Sequence, residues 1–258
     1  MMANLTNPRL WCILPTLNEA PTLVHLVPGL LALAPDLGIF GIDDHSTDGS
    51  ATIWETWHKR VPDRVSIIHR SGALGLGTAY RTVFQDPVIQ AASWVLQMDG
   101  DGSHQLRDVR CLLAQRGSTP LIDLWIGSRY VAGGSTPGWP LRRRWLSRAG
   151  SWYTRQIVNS PVRDLTTGLK LWRGDLVRQM PWDTCEETGY GFQIATTLHA
   201  QWLGARIAEW PITFVPRQAG HSKLSGAILW EAAQTPWRLR RLRQHQPWLS
   251  TPGIHRIS

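Results

Sequence analysis

Short apolar runs recur along the first half of the chain, each followed by a segment of helical spacing. Leu10 to Leu14 is the first, closed by Pro15, and Asn18-Glu19 then opens a helical pattern that lasts through Leu33. Gly38 to Ile42 is the second and ends abruptly in Asp43-Asp44. Ser46 or Asp48 suits the cap of the next helix, whose apolar side carries Ile53, Trp54 and Trp57. Val65 to Ile68 is a third run, and Gly75-Leu76-Gly77 opens a helix through Val83 and Phe84. Trp94 to Met98 is a fourth, again ending in acid at Asp99-Gly100-Asp101, and Leu121 to Ile126 reads as a fifth. Strands alternating with helices of this length predict an α/β fold with a mostly parallel central sheet and helices on both faces.

Composition narrows the picture. A chain of 258 residues with 43% hydrophobic content suffices for one large domain with its own core. Cys12, Cys111 and Cys185 lie far apart and form no CxxC pair, which argues against a thiolate metal site or a disulfide framework and for a reducing compartment. Residues 1–8 lack the charged and apolar regions of a secretory signal. The best apolar stretch, Leu23 to Ala34, is interrupted by His25, Pro28 and Gly29 and falls short of the roughly 20 residues a spanning helix needs. The expectation is a core helix and no membrane span.

The net charge of +8 calls for an anionic partner. Its distribution is uneven. Arg142, Arg143, Arg144 and Arg148 lie among Trp139, Trp145 and Trp152. Arg238, Arg240, Arg241, Arg243 and Arg256 lie near Trp230, Trp237 and Trp248, with no acid from Ala232 to the end. Arginine with tryptophan suits the boundary between water and lipid. Nucleic-acid binding would explain the basic tail but not paired acids at two strand ends, so no nucleic-acid partner is expected.

In parallel sheets ligands bind beyond the carboxyl ends of the strands, and three loops there carry chemistry. In Met98-Asp99-Gly100-Asp101-Gly102-Ser103-His104, two carboxylates one residue apart can face one hard cation, Mg²⁺ or Mn²⁺, completed by water and phosphate oxygens. Asp43-Asp44-His45-Ser46-Thr47-Asp48-Gly49 offers an acidic acceptor for a base or a ribose hydroxyl, with Asp48 the better candidate for capping. Gly75-Leu76-Gly77-Thr78 brings backbone amides to a helix start.

These segments, with Leu14-Pro15-Thr16-Leu17-Asn18-Glu19 before them, resemble family 2 glycosyltransferases in order and spacing. Gly127-Ser128-Arg129-Tyr130-Val131, Asp164-Leu165-Thr166-Thr167-Gly168-Leu169-Lys170, Gly189-Tyr190-Gly191-Phe192-Gln193 and Arg217 to Leu224 resemble the dolichyl-phosphate mannose synthases among them. The resemblance implies a GT-A fold over residues 1–225; the segment after it, 226–258, is expected from its own basic residues to dock on a membrane surface or on a membrane partner protein. The resemblance also implies Pro15, Leu17, Glu19, Asp44, Asp99 and Gly100 around a nucleotide-sugar, GDP-mannose first. Asp99 and Asp101 would hold Mg²⁺ or Mn²⁺, with Ser103 the third candidate ligand. Arg129, Arg143, Ser147, Arg217 and Lys223 would face donor or acceptor phosphates. Asp101, Arg129, Arg143 and Asp164 are the expected catalytic set, although Asp164 equally suits a cap for its own loop.

The implied reaction is inverting transfer of a hexose to a polyprenyl phosphate at the cytoplasmic face of a membrane, by a peripheral enzyme. A related transferase using UDP-glucose, or a glycan or glycolipid acceptor, is the alternative. Leu141, Trp145, Trp152 and Ile157 are spaced as one helical stripe beside Arg143, and Ile228 to Ala233 is expected to continue a helix until Pro236. His45 stands where the family usually has glycine, which alters that loop's backbone.

Overall fold

The computed structural model describes residues 9–72, 75–118, 121–187, 189–216 and 234–242. Seven strands form one sheet: β1 Leu10–Thr16, β2 Leu37–Asp43, β3 Val65–His69, β4 Trp94–Gln97, β5 Leu124–Ser128, β6 Lys170–Arg173 and β7 Ile207–Pro211. Between and after them run helices α1 Ala20–Leu31, α2 Ser50–Arg60, α3 Leu76–Phe84, α4 Pro87–Gln90, α5 Leu106–Ser118, α6 Leu141–Val158, α7 Gly174–Gln179 and α8 Gly189–Trp202. The strand order is β3-β2-β1-β4-β6-β5-β7, and only β6 among them runs antiparallel to its neighbours. The five strands expected from the apolar runs are present. β6 and β7 are additional.

Alternation along the central strands divides the core between two faces. Trp11, Ile13, Phe40 and Ile42 pack on one side with α3 and α8 residues such as Tyr80 and Phe192. Leu10, Cys12, Leu14, Leu37 and Ile39 pack on the other with Leu23 and Leu30 of α1 and Trp54 of α2. Trp54 lies flat beneath Gly41, where a Cβ would come within 2.8 Å of the indole, and its Nε1 donates to Thr16 Oγ1 at 3.0 Å. This contact locks the end of β1 to the end of β2.

Two connections are tied together by side chains. Asp48 does more than serve its own helix: Oδ1 accepts from Ser50 N at 3.0 Å, and Oδ2 accepts from Ala20 N, at the start of α1, at 2.8 Å. Asn18 Oδ1 accepts from Thr47 N at 2.8 Å. The N-cap position of α2 is Gly49, at φ 95°. His45 holds a left-handed backbone at φ 67°, the conformation glycine adopts without steric cost. His45→Gly is therefore expected to stabilise the fold by about 1 kcal/mol, seen by calorimetry as a Tm rise of about 2–4 °C. A fall in Tm would mean the imidazole makes a contact worth more than the backbone relief.

The helical residues 234–242 pack on the domain. Leu239 is fully buried in the same cluster as Phe192, Arg238 pairs with Glu187 at 3.4 Å, and Trp237 Nε1 donates to Tyr153 OH at 2.9 Å. Pro236 lies within this run rather than ending it, the third of its described residues. Residues 226–233 lie outside the described residues. No helix among the described residues is long and apolar enough to cross a membrane.

Candidate active site

The carboxyl ends of β1, β2, β3 and β4 open on one edge of the sheet, and β6, running the other way, begins there. That single reversal brings the Asp164 to Lys170 loop of the chain's second half against the Asp99 loop of the first. The fit is tight at Gly168, where a Cβ would lie 2.3 Å from Asp99 Oδ2. Gly100 is equally close-packed, with a Cβ position 2.8 Å from the Pro15 carbonyl oxygen. Both glycines serve close approach, since neither backbone is left-handed.

Asp101 is buried, and its Oδ1 accepts from both the amide (3.0 Å) and the hydroxyl (2.5 Å) of Ser103. Asp99 is partly open to solvent, with His104 Nε2 3.6 Å from its Oδ2. Tyr80 OH donates to the Met98 carbonyl at 2.9 Å and lies 3.4 Å from Asp99 Oδ1. Burial, followed by the charge of Asp99, holds the Tyr80 phenol well above its ordinary pKa, so it stays a donor. Behind this floor Lys170 is fully buried, donating to Gln193 O at 2.7 Å and Thr196 Oγ1 at 3.0 Å. Burial pulls its pKa down to about 7, opposed by Asp164, Cys185 and Asp99.

On the β2 side, Asp44 pairs with Arg70 NH1 at 2.8 Å. Arg70 also donates to Gly75 O at 3.2 Å and Thr78 Oγ1 at 2.6 Å, linking the acidic loop to the start of α3. Pro15 is buried, Leu17 is half-exposed, and the Glu19 amide donates to Ser50 Oγ at 3.0 Å. These residues line the same edge as Asp99.

On the β5 side, Arg129 and Asp164 form a buried pair. Asp164 Oδ2 accepts from Arg129 N at 2.9 Å and Nε at 2.7 Å, and Oδ1 accepts from NH2 at 2.6 Å. The guanidinium lies 5.2 Å from the ring centres of both Tyr130 and Phe214. Trp139 is 5.9 Å from Arg129 and 4.0 Å from Arg143, so one indole contacts both guanidinium groups. Ser147 and Tyr130 share a hydroxyl hydrogen bond of 2.5 Å. Tyr130 borders a groove of about 480 Å³ that Arg129, Trp139, Arg144, Trp145 and Arg148 also line. Leu141, Trp145 and Trp152 of α6 are exposed, as the stripe requires, whereas Ile157 turns into the core. Arg217 and Lys223 lie outside the described residues.

Two contributors carried no signal of their own in the motif pattern. Arg70 follows β3 at the same edge as Asp44 and Asp99, and that position was its one available cue. Glu209 on β7 accepts from the Arg163 amide at 2.8 Å and the Asp164 amide at 3.0 Å, fixing the loop that holds Asp164. Nothing in the local sequence marks it.

A sheet of this order, with acids at its carboxyl edge and a basic groove beside them, is the frame of a sugar-nucleotide transferase. The family model for glycosyl transferase family 2 matches residues 11–180, and the chain belongs to that family: it is a glycosyltransferase. It is 37% identical over 233 residues, 90% of this chain and 94% of the relative, to an undecaprenyl-phosphate mannosyltransferase of Micrococcus luteus. It is 36% identical over 220 residues, 85% of this chain and 82% of the relative, to a polyprenol monophosphomannose synthase of Mycolicibacterium smegmatis. Among solved structures, the fold resembles glucosyl-3-phosphoglycerate synthase from Mycobacterium tuberculosis in complex with Mn²⁺, UDP and glucosyl-3-phosphoglycerate. The TM-score is 0.62 at 18% identity, covering 92% of this chain and 80% of that one. It also resembles a mannosyltransferase from Pyrobaculum calidifontis in complex with GDP-Man and Mn²⁺, with a TM-score of 0.57 at 18% identity, covering 96% and 68%. The GT-A-like fold expected from the sequence is borne out.

Proposed function

We propose that this glycosyltransferase moves mannose from GDP-mannose to a polyprenyl phosphate, with inversion at the anomeric carbon. The observation that carries the reading is the joining of two unlike surfaces at one sheet edge: an acidic floor at Asp99 and Asp101, and an arginine-tryptophan groove that opens beside the exposed face of α6. Two mannose-transferring relatives that each cover most of the chain agree with it.

The chemistry follows from charge. A phosphate monoester is anionic at neutral pH, so the acceptor oxygen needs no general base. The enzyme's task is to bring two anions together and stabilise the departing diphosphate. Arg144 and Arg148 in the groove, with Arg143 stacked on Trp139 of its wall, suit the acceptor phosphate, while Asp44 with Arg70 orients the nucleoside end. Asp99 and Asp101, with Ser103 as a third candidate, would hold Mg²⁺ or Mn²⁺. Substrate oxygens and water would complete the coordination of such a cation. When bound, such an ion supplies Lewis-acid neutralisation of the leaving diphosphate. Arg129, committed to Asp164, acts by shaping the groove.

The same reading places the enzyme on the cytoplasmic face of a membrane, docked through α6. Residues 141–158 hold five arginines and no acid, beside exposed Leu141, Trp145, Leu146 and Trp152. Trp145→Ala with Trp152→Ala is expected to weaken sedimentation with phosphatidylglycerol vesicles on the order of tenfold; undiminished binding would move the docking surface elsewhere.

The test of the reaction is a donor panel: purified protein, a short polyprenyl phosphate, Mn²⁺ or Mg²⁺, and lipid-linked sugar read by mass. Product from GDP-mannose, lost in Asp101→Ala, supports the proposal. Product from UDP-glucose alone overturns the mannose assignment, and no lipid product from any donor overturns the acceptor.

A further inference from the structure

His104 is the least explained side chain at the site. It is 3% exposed, yet among the described residues neither Nδ1 nor Nε2 has a hydrogen-bond partner. Buried imidazoles are ordinarily satisfied at one nitrogen at least, because an unpaired buried polar atom costs on the order of 1–3 kcal/mol. The ring is held firmly all the same. Residue 104 pairs with Phe214 as an isolated antiparallel bridge, and the two rings meet edge to face at 5.3 Å and 81°. The Val215 amide donates to Ser103 O at 3.1 Å, extending the same clamp.

So fixed, Nε2 lies 3.6 Å from Asp99 Oδ2. That is too long for a hydrogen bond. It is the separation of two donors that share an ion, since ligands each about 2.1 Å from a cation stand roughly 3–4 Å apart. Ser103, the third candidate ligand within the loop, already gives its hydroxyl proton to Asp101 and serves as a buttress for that carboxylate.

We propose that His104 Nε2 is a nitrogen ligand, with Asp99, of the divalent ion held by residues 99–103. An imidazole donor favours Mn²⁺ over Mg²⁺, which demands oxygen ligands. The inference rests on the metal-dependent reading above.

The test is pulsed electron paramagnetic resonance of the protein with Mn²⁺ and GDP, prepared once with natural nitrogen and once with ¹⁵N-histidine. The expected result is a ¹⁴N modulation on the Mn²⁺ signal that moves to the ¹⁵N frequency on histidine labelling. Guanine nitrogen would be unaffected by that label. His104→Gln is expected to lose the modulation, to weaken Mn²⁺ binding by at least about tenfold, and to weaken Mg²⁺ binding less. Bound Mn²⁺ without histidine coupling overturns the proposal while leaving the transferase reading intact, as does coupling that persists in a folded His104→Gln. No Mn²⁺ binding with GDP overturns the metal-dependent reading itself. The labelled wild-type protein decides the matter even if the variant does not fold.

Discussion

Asp164→Ala is expected to destabilise the fold by about 3–5 kcal/mol, a fall in Tm on the order of 10 °C or more. The cause is the charge left behind. Arg129 is 6% exposed and gives three hydrogen bonds, one from its amide and two from its guanidinium, to a carboxylate with no exposure at all. Thr166 Oγ1, 2.7 Å from NH2, and the surrounding aromatic faces are themselves neutral. Removing both partners with Arg129→Met and Asp164→Leu should cost less than either single loss, because no ion is then stranded in the interior. Thermal denaturation of the two singles and the double measures this directly. A single variant melting within about 2 °C of the parent protein would show that water reaches the pair. Such a result would return Arg129 to the set of groups able to meet substrate phosphate.

The short apolar runs were enough to locate β1 to β5, even β3, where only Val65 is fully buried. β6 and β7 escaped for physical reasons. Lys170 and Arg173 bracket β6, and a buried lysine satisfied by Gln193 and Thr196 looks from sequence like a surface residue. β7 pairs with β5 at the end of the strand order, and every residue in it is only partly buried. Chemistry at strand ends was legible for the same reason that the strands were: acids directly after a buried run have one edge to occupy. Contacts made across the fold were not. Arg70 reaches Asp44 across a loop, Glu209 holds amides 45 and 46 residues away in the chain, and Leu239 enters the core from a stretch that reads as a basic tail. Pairings of that kind depend on the order of strands in the sheet, which local periodicity does not encode.

Gly168→Ala tests whether the two halves of the site act on each other. The added methyl would stand 2.3 Å from Asp99 Oδ2 and 2.6 Å from its Cγ, so the carboxylate must yield. Its backbone is not left-handed, so alanine brings no strain of its own. The Asp99 side chain is partly exposed and has room to turn. The expected result is a protein of nearly unchanged Tm whose kcat falls about a hundredfold, the scale of a 1 Å misplacement at a reacting centre. Steady-state kinetics beside calorimetry separates this from unfolding. Asp164→Ala should show the opposite pattern, with stability lost first. Unchanged kcat in Gly168→Ala would mean that Asp99 is not held in its working position by the loop before β6. The single antiparallel strand would then be a feature of the sheet alone, and the positioning of the acidic floor would fall to Tyr80.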